Sequence, residues 1–331
     1  MVTADTPRNP QPLNYSVEVQ LGNSPLDRND YSQVVKEIYL RHLVDGSIKQ
    51  NEAQHITTGV QIYDMQSKRM IVSHEQDKEQ FAASINKLPV SLLLLEDLRS
   101  GKVSMNQKVI WTANDRRGGF GNLDTPDAPL EATVEDLVQD MLNKSGNTAL
   151  RVIVNNVLQG PQAVNDRWSA KPQLSHTRLQ LLDATRFYLG NSTPHDSLWT
   201  IQQLMSKQDK YASFMKKAMS GNIFTDFGVR SQLGDSDYVL LVNKIGLLDD
   251  VEGNNRHDVG IIYNKKTHKS YAYSFMTTAP YDESDTAATV RADQSLKDMG
   301  QYTLRYAGGL RAVAGPGGTV TRPTVEKRMD Y

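Results

Sequence analysis

The chain predicts an α+β fold: one antiparallel sheet flanked by terminal helices, with an all-helical lobe inserted into it. Three observations lead there. Period-two apolar text occurs in two groups, residues 59–74 and 238–277, near opposite ends of the chain. Between them, over about residues 80–222, apolar residues recur mainly at three- and four-residue spacing. Strands and helices are segregated rather than alternating as in βαβ repetition.

Residues 1–30 carry Pro7, Pro10, Pro12 and Pro25 among few apolar residues, and read as a linker or extended arm. Tyr31 to Leu43 places Val34, Ile38, Tyr39 and Leu43 on one helical stripe, so the folded body, a single domain of two lobes expected over residues 31–310, starts there. Gly59–Met65 and Arg69–His74 read as strands joined by the turn Gln66-Ser67-Lys68. Ser84 to Arg99 is apolar on nearly every side between Leu88 and Leu98, the mark of a buried helix, and Gly101 ends it. Trp111 to Pro129 is rich in Gly, Asp, Asn and Pro and reads as loop, with Arg117-Gly118-Gly119-Phe120-Gly121 as a flexible turn. Thr133 is a good helix cap, followed by Val134, Leu137, Val138, Met141 and Leu142 at helical spacing. Leu150, Ile153, Val154, Val157 and Leu158 repeat that spacing up to Gly160. Asp183–Leu189, Ser197–Met205 and Lys210–Met219 read as further helices. Tyr238–Asn243, His257–Tyr263 and Ser270–Thr277 then read as strands. A last helix is expected from about Ser284 to Tyr306, and residues 311–331 form a Gly/Pro-rich, charged tail.

Composition narrows the function. With 37 basic and 38 acidic residues the net charge is −1, so no basic field recruits nucleic acid or anionic lipid. The absence of cysteine removes thiolate metal sites, iron–sulfur clusters and cysteine nucleophiles. The longest apolar run, Leu88 to Leu95, is too short to span a bilayer, and the polar first residues show no export-signal pattern. Phosphate-binding glycine motifs, H-E-x-x-H and G-x-S-x-G are missing, and the seven histidines include no i, i+4 pair. No cofactor or metal is expected.

What remains is Ser84-Ile85-Asn86-Lys87 at the head of the buried helix. Serine and lysine three apart share a helix face, so the amine reaches the hydroxyl. Burial and the positive helix end both favour an uncharged amine, able to take the serine proton. Free N–H groups at a helix start are ready to stabilise an oxyanion. The spacing alone is weak, since Ser213-Phe214-Met215-Lys216 repeats it; there Ser220-Gly221-Asn222 follows almost at once, on the same helix end. Two partners distinguish the first site. Ser145-Gly146-Asn147 lies at the junction of two amphipathic helices, and Lys244-Ile245-Gly246 ends a strand, its glycine letting a ligand lie against the strand edge.

S-x-x-K, S-x-N and K-x-G, in this order and setting, resemble the three motifs of the class A β-lactamases and the D,D-peptidases, or penicillin-binding proteins. Phe81 to Val90, Gly101-Lys102-Val103-Ser104, Thr133 to Ala149 and Arg256 to Ile262 extend the resemblance, which covers roughly residues 31–310. It implies a β-lactamase/transpeptidase-like fold and a serine hydrolase working through a covalent acyl-enzyme. Ser84 would be the nucleophile, Lys87 its base and Ser145 the proton relay. Lys244 would orient Ser145 and attract the substrate carboxylate. Asn147, Gly246 and Leu247 would bind substrate, with the N–H groups of Ser84 and Leu247 forming the oxyanion hole. The implied partners are β-lactams or muropeptides ending in D-Ala-D-Ala, met outside the cytoplasmic membrane in an exported protein.

Two departures qualify the expectation. Ile245 stands where the family has a hydroxyl residue, removing a carboxylate donor worth about 1.5–3 kcal/mol. Residues 159–182 hold no glutamate to activate a deacylating water; Asp166 is their only acid, and Asp183 is the nearest alternative base. Slow deacylation is therefore expected. A catalytically silent peptidoglycan- or ligand-binding module and an esterase-type hydrolase on the same fold are the alternatives.

Overall fold

The computed structural model describes residues 28–233, 237–250, 253–281 and 286–308. The arm before residue 28 and the tail from residue 309 onward lie outside these residues. The chain opens with α1 (Arg28–Glu52), then β1 (Thr57–Asp64), β2 (Arg69–His74) and the short β3 (Gln80–Phe81). A single helical turn, Ala83–Asn86, leads into α2 (Lys87–Arg99). Next come β4 (Lys108–Ile110), β5 (Glu131–Thr133), α3 (Val134–Asn143), α4 (Asn147–Val152) and α5 (Pro161–Ser169). The hairpin β6 (Arg178–Leu181) and β7 (Phe187–Ser192) precedes α6 (Pro194–Ser206) and α7 (Lys210–Ser220). Strands β8 (Tyr238–Asp250), β9 (Gly253–Asn264) and β10 (Ser270–Ala279) and the helix α8 (Ala287–Gly308) close the fold.

The five-stranded sheet has the order β2-β1-β10-β9-β8 and is antiparallel throughout, so the two distant strand groups do form one sheet. Its faces serve two separate cores. Tyr271, Tyr273, Phe275, Val60 and Ile62 pack with Leu40 and Val44 of α1 and Leu296 and Met299 of α8. Val242, Val259, Ile261, Ala272 and Met276 pack instead with the helical lobe, around Leu88, Leu93, Leu137 and Ile201.

A register shift between Leu240 and Val242 decides what β8 presents to each core. Side chains along a strand alternate faces, so Leu240 and Val242 would normally lie on one side. The irregularity puts Leu240 in the α1/α8 core and Val242 in the helical-lobe core. Lys244 therefore follows Val242 toward the helical lobe; an unbroken strand would have buried its amine among the terminal helices.

Several local expectations hold. The Thr133 side chain accepts from the Asp136 N–H, and the Asp136 carboxylate returns the bond to Thr133. Lys216 caps carbonyls of Met205 and Lys207, leaving the second S-x-x-K structural.

Other expectations are corrected. The nucleophile turn is a tight turn before α2 rather than its first α-helical residues. The helix read from Leu150 to Leu158 is α4 followed by a wider, π-type turn over Ile153–Val157. An additional helix, α5, starts on Gly160 and Pro161 and buries Trp168, whose indole donates to the Pro89 carbonyl at 3.3 Å.

Residues 183–189, expected as helix, instead turn and form β7. Asp183 Oδ1 accepts from the N–H groups of Thr185 and Arg186, an Asp-led turn that diverts the backbone from helix. Gly190 sits at φ +64°, and a Cβ there would lie 2.0 Å from the Arg178 carbonyl oxygen of the paired strand. Gly190→Ala is expected to lose roughly 2–4 kcal/mol from left-handed strain plus overpacking, measurable as a lower denaturant midpoint.

Candidate active site

The site is assembled where the Ala83–Asn86 turn, the α3–α4 junction and the edge strand β8 meet. Ala83 has φ +44° and Ser145 has φ +62°, left-handed values that cost non-glycine residues about 1–3 kcal/mol each and cluster at functional sites. Buried contacts hold the first turn in place. His257 accepts the Thr277 N–H at Nδ1, so its Nε2 carries the proton and donates to the Phe81 carbonyl at 2.8 Å. Burial holds this imidazole neutral, with its pKa down to about 4. Asn86 donates to the Leu189 and Asn191 carbonyls, tying the same turn to the β6–β7 hairpin.

Lys87 is completely buried, and its Nζ lies 2.9 Å from Ser84 Oγ, 3.0 Å from Ser145 Oγ and 2.8 Å from Asn147 Oδ1. It also donates to the Ser145 carbonyl. Two of these neighbours, the carbonyl and the amide oxygen, can only accept. They use the two N–H bonds of a neutral amine and leave its lone pair for a hydroxyl. Burial first, and the nearby Lys244 second, push the Lys87 pKa well below its ordinary value. Among the described residues no carboxylate comes within ion-pair distance of its Nζ. Asp124, the first of the two acids that oppose the shift, is committed to the Thr148 N–H and hydroxyl and the Asn147 N–H.

Lys244 is equally buried, donating to Ser145 Oγ at 2.9 Å and to the Ile245 carbonyl at 3.0 Å. Burial lowers its pKa to about 7. Ser145 Oγ therefore bridges two amines, and an unbroken polar chain runs from Ser84 through Lys87 and Ser145 to Lys244. The structure thus brings together Ser84, Lys87, Ser145, Asn147 and Lys244. Asn147 is fixed at both ends of its amide, since Nδ2 donates to the Gly118 carbonyl at 3.1 Å.

A cleft of about 760 Å³ opens over Ser84. Asn147, Gly119 and Phe120 line it from the helical lobe, Gln180 and Tyr188 from the hairpin, and Leu247 from β8. As the edge strand, β8 leaves alternate N–H groups unpaired by β9, the setting an oxyanion donor at Leu247 requires.

A match over residues 40–297 to the family described as the β-lactamase enzyme family decides the assignment. The chain belongs to that family. It is accordingly a β-lactamase-like serine hydrolase, with the fold its motifs resemble. Among solved structures, PBP-A in a mutant acyl-enzyme complex with penicillin G is similar at TM-score 0.68 and 15% identity, covering 84% of this chain and 97% of that one. A β-lactamase from Sphaerobacter thermophilus matches at TM-score 0.67 and 20% identity, covering 81% and 97%. The chromosome-encoded β-lactamase of Vibrio parahaemolyticus matches at TM-score 0.67 and 20% identity, covering 80% and 98%. No curated protein matches the sequence.

Two positions, Gly246 and Asp183, depart from their expected roles, while Ile245 keeps the departure read from the sequence. Gly246 faces the chain itself: a Cβ there would lie 3.0 Å from the Ala82 carbonyl and 3.3 Å from Ile85, so the glycine admits the nucleophile turn rather than a ligand. Ile245 is buried at 2% exposure and offers the cleft no hydroxyl. Asp183 is exposed in the hairpin turn, where the Thr185 N–H first, and then the side chain and N–H of Arg186, hold its carboxyl far below the usual range.

Gly146 has a steric reason invisible in the motif. A Cβ there would lie 2.0 Å from Asp140 Oδ2. Sequence reasoning also missed His257 and the cleft's arginines, Arg117, Arg151 and Arg256. Arg151 alone left a trace, standing four residues after Asn147 and hence on the same helix face.

Among the described residues there is no group of three or more metal-ligating side chains, and no helix is long and apolar enough to cross a membrane.

Proposed function

We propose that the protein attacks β-lactam or D-Ala-D-Ala-type amides with Ser84, forming an acyl-enzyme that hydrolyses slowly. The observation that carries this reading is the fully buried amine of Lys87, 2.9 Å from Ser84 Oγ, with its pKa pushed well down by that burial. The Ser84 hydroxyl proton passes to Lys87 as Oγ bonds to the carbonyl carbon. The N–H groups of Ser84 and Leu247 receive the developing oxyanion. Collapse breaks the amide bond, and Ser145 gives its proton to the leaving nitrogen while regaining one from Lys87. Lys244, when charged, holds Ser145 in line and attracts the substrate carboxylate.

Slow deacylation is supported by the hairpin side of the cleft, which presents Gln180, Phe187, Tyr188 and Leu189. The cleft's acids, Asp249 and Asp293, are both bonded to Arg256. A hydrolytic water there would depend on Lys87 as its base. The same reading carries an exported location, where peptidoglycan is met.

Mass spectrometry of the intact protein after incubation with benzylpenicillin tests the proposal. The expected result is a single penicilloyl adduct on Ser84 that survives gel filtration and is absent from Ser84→Ala. Unmodified protein across a panel of penicillins and D-Ala-D-Ala peptides would contradict it.

A further inference from the structure

The acyl-transfer chemistry leaves one buried cation of the cleft unused. Arg151 is 8% exposed and lines the cleft, yet among the described residues its Nε is buried without a hydrogen-bond partner. The nearest acid, Asp115, stands 3.7 Å from that nitrogen, outside hydrogen-bond range, and accepts the Thr112 N–H and hydroxyl through its other oxygen. Arg117 lines the same cleft, 6.0 Å from the Tyr188 ring centroid, and its charge is felt at Arg151. The remaining charges acting there, Asp183 and Arg186, bond to each other. Three guanidinium groups thus face two carboxylates, and the buried Arg151 Nε has an ion pair but no hydrogen bond. A buried guanidinium held only by this one long ion pair recovers part of its desolvation cost, and a like-charged neighbour adds repulsion. A bound anion would relieve both.

The other arginine of the cleft is not available for this. Arg256 donates through Nε to Asp293 and through both terminal nitrogens to Asp249. Its charge is already met by two carboxylates.

Position assigns the anion to one part of the substrate. Asn147 and Arg151 lie one turn apart on the same face of α4, about 5–6 Å between Cβ atoms. Asn147 holds Lys87, and the resemblance to the class A β-lactamases implies that it binds the amide of the substrate's acyl side chain. We infer that the cleft selects substrates carrying an additional carboxylate on the acyl side, received by Arg151 and Arg117. This rests on the acyl-enzyme reading above for which end of the substrate is meant.

The test uses Ser84→Ala protein, so that binding is read without reaction. Calorimetry would compare benzylpenicillin with its α-carboxy derivative, which differs by one carboxylate on the acyl side chain. The expected result is about tenfold tighter binding of the carboxylated compound, shrinking as salt is raised. Arg151→Gln should reduce that preference to within about twofold, and Arg117→Gln, at a more exposed position, should reduce it several-fold. If Arg151→Gln does not fold, Arg117→Gln decides. Equal affinity for the two compounds, no binding of either, or a preference surviving these variants would overturn the inference. The acyl-enzyme reading fails separately, by absence of an adduct on wild-type Ser84 with both penicillins.

Discussion

Lys87→Met is expected to lower the rate of Ser84 acylation by about a thousandfold while the protein stays folded. General-base assistance contributes typically 10²–10⁴ in rate, and a serine hydroxyl is a weak nucleophile without it. Lys87 is the only base in contact with Ser84 Oγ among the described residues, at 2.9 Å. Methionine matches the length of the buried stem but has no lone pair suited to the proton. The effect is larger than for Asn147→Ala, because Asn147 touches the amine rather than the reacting hydroxyl. Stopped-flow acylation by benzylpenicillin, with circular dichroism to confirm folding, checks both halves.

The second large effect concerns pH. Lys244 has a pKa near 7, lowered by burial, so its ammonium dominates below that pH and its neutral amine above it. The charged form orients Ser145 and attracts a substrate carboxylate. Acylation by an anionic penicillin should therefore decline above about pH 7, approaching tenfold per pH unit well beyond the pKa. Lys87 works in the opposite sense, since its neutral form is the active one and its pKa is strongly lowered. The profile is a bell whose alkaline limb belongs to Lys244. Lys244→Arg, which stays charged, should abolish that limb even where it lowers the maximum. A limb unchanged in Lys244→Arg would reassign it to another group.

Much of the site was legible because chemistry restricts residue type at short spacing. Ser84 and Lys87 share one helical turn, and the S-x-N partner sits at a helix junction that hydrophobic periodicity locates; K-x-G, read as ending a strand, lies instead inside β8, which continues to Asp250. The face chosen by Lys244 was not legible. It depends on an irregularity between Leu240 and Val242 that the run of β-forming residues does not reveal. The β6–β7 hairpin was misread because Leu181, Leu182, Phe187 and Leu189 fit a helical spacing. Asp183 capping its own turn and Gly190 meeting the Arg178 carbonyl override that pattern. Gly246 was assigned to the ligand because sequence cannot show that the nucleophile turn already fills the space beside it. Arg117 and Arg256 gain their meaning only from the cleft that distant segments enclose.

Direct titration of the Lys87 amine probes the mechanism at its root. In protein carrying ¹⁵N-labelled lysine, the resonance lost in Lys87→Met should titrate far below the usual lysine range and report a neutral amine at neutral pH. A Lys87 amine still protonated at pH 10 would contradict the account, because no base would then stand beside Ser84.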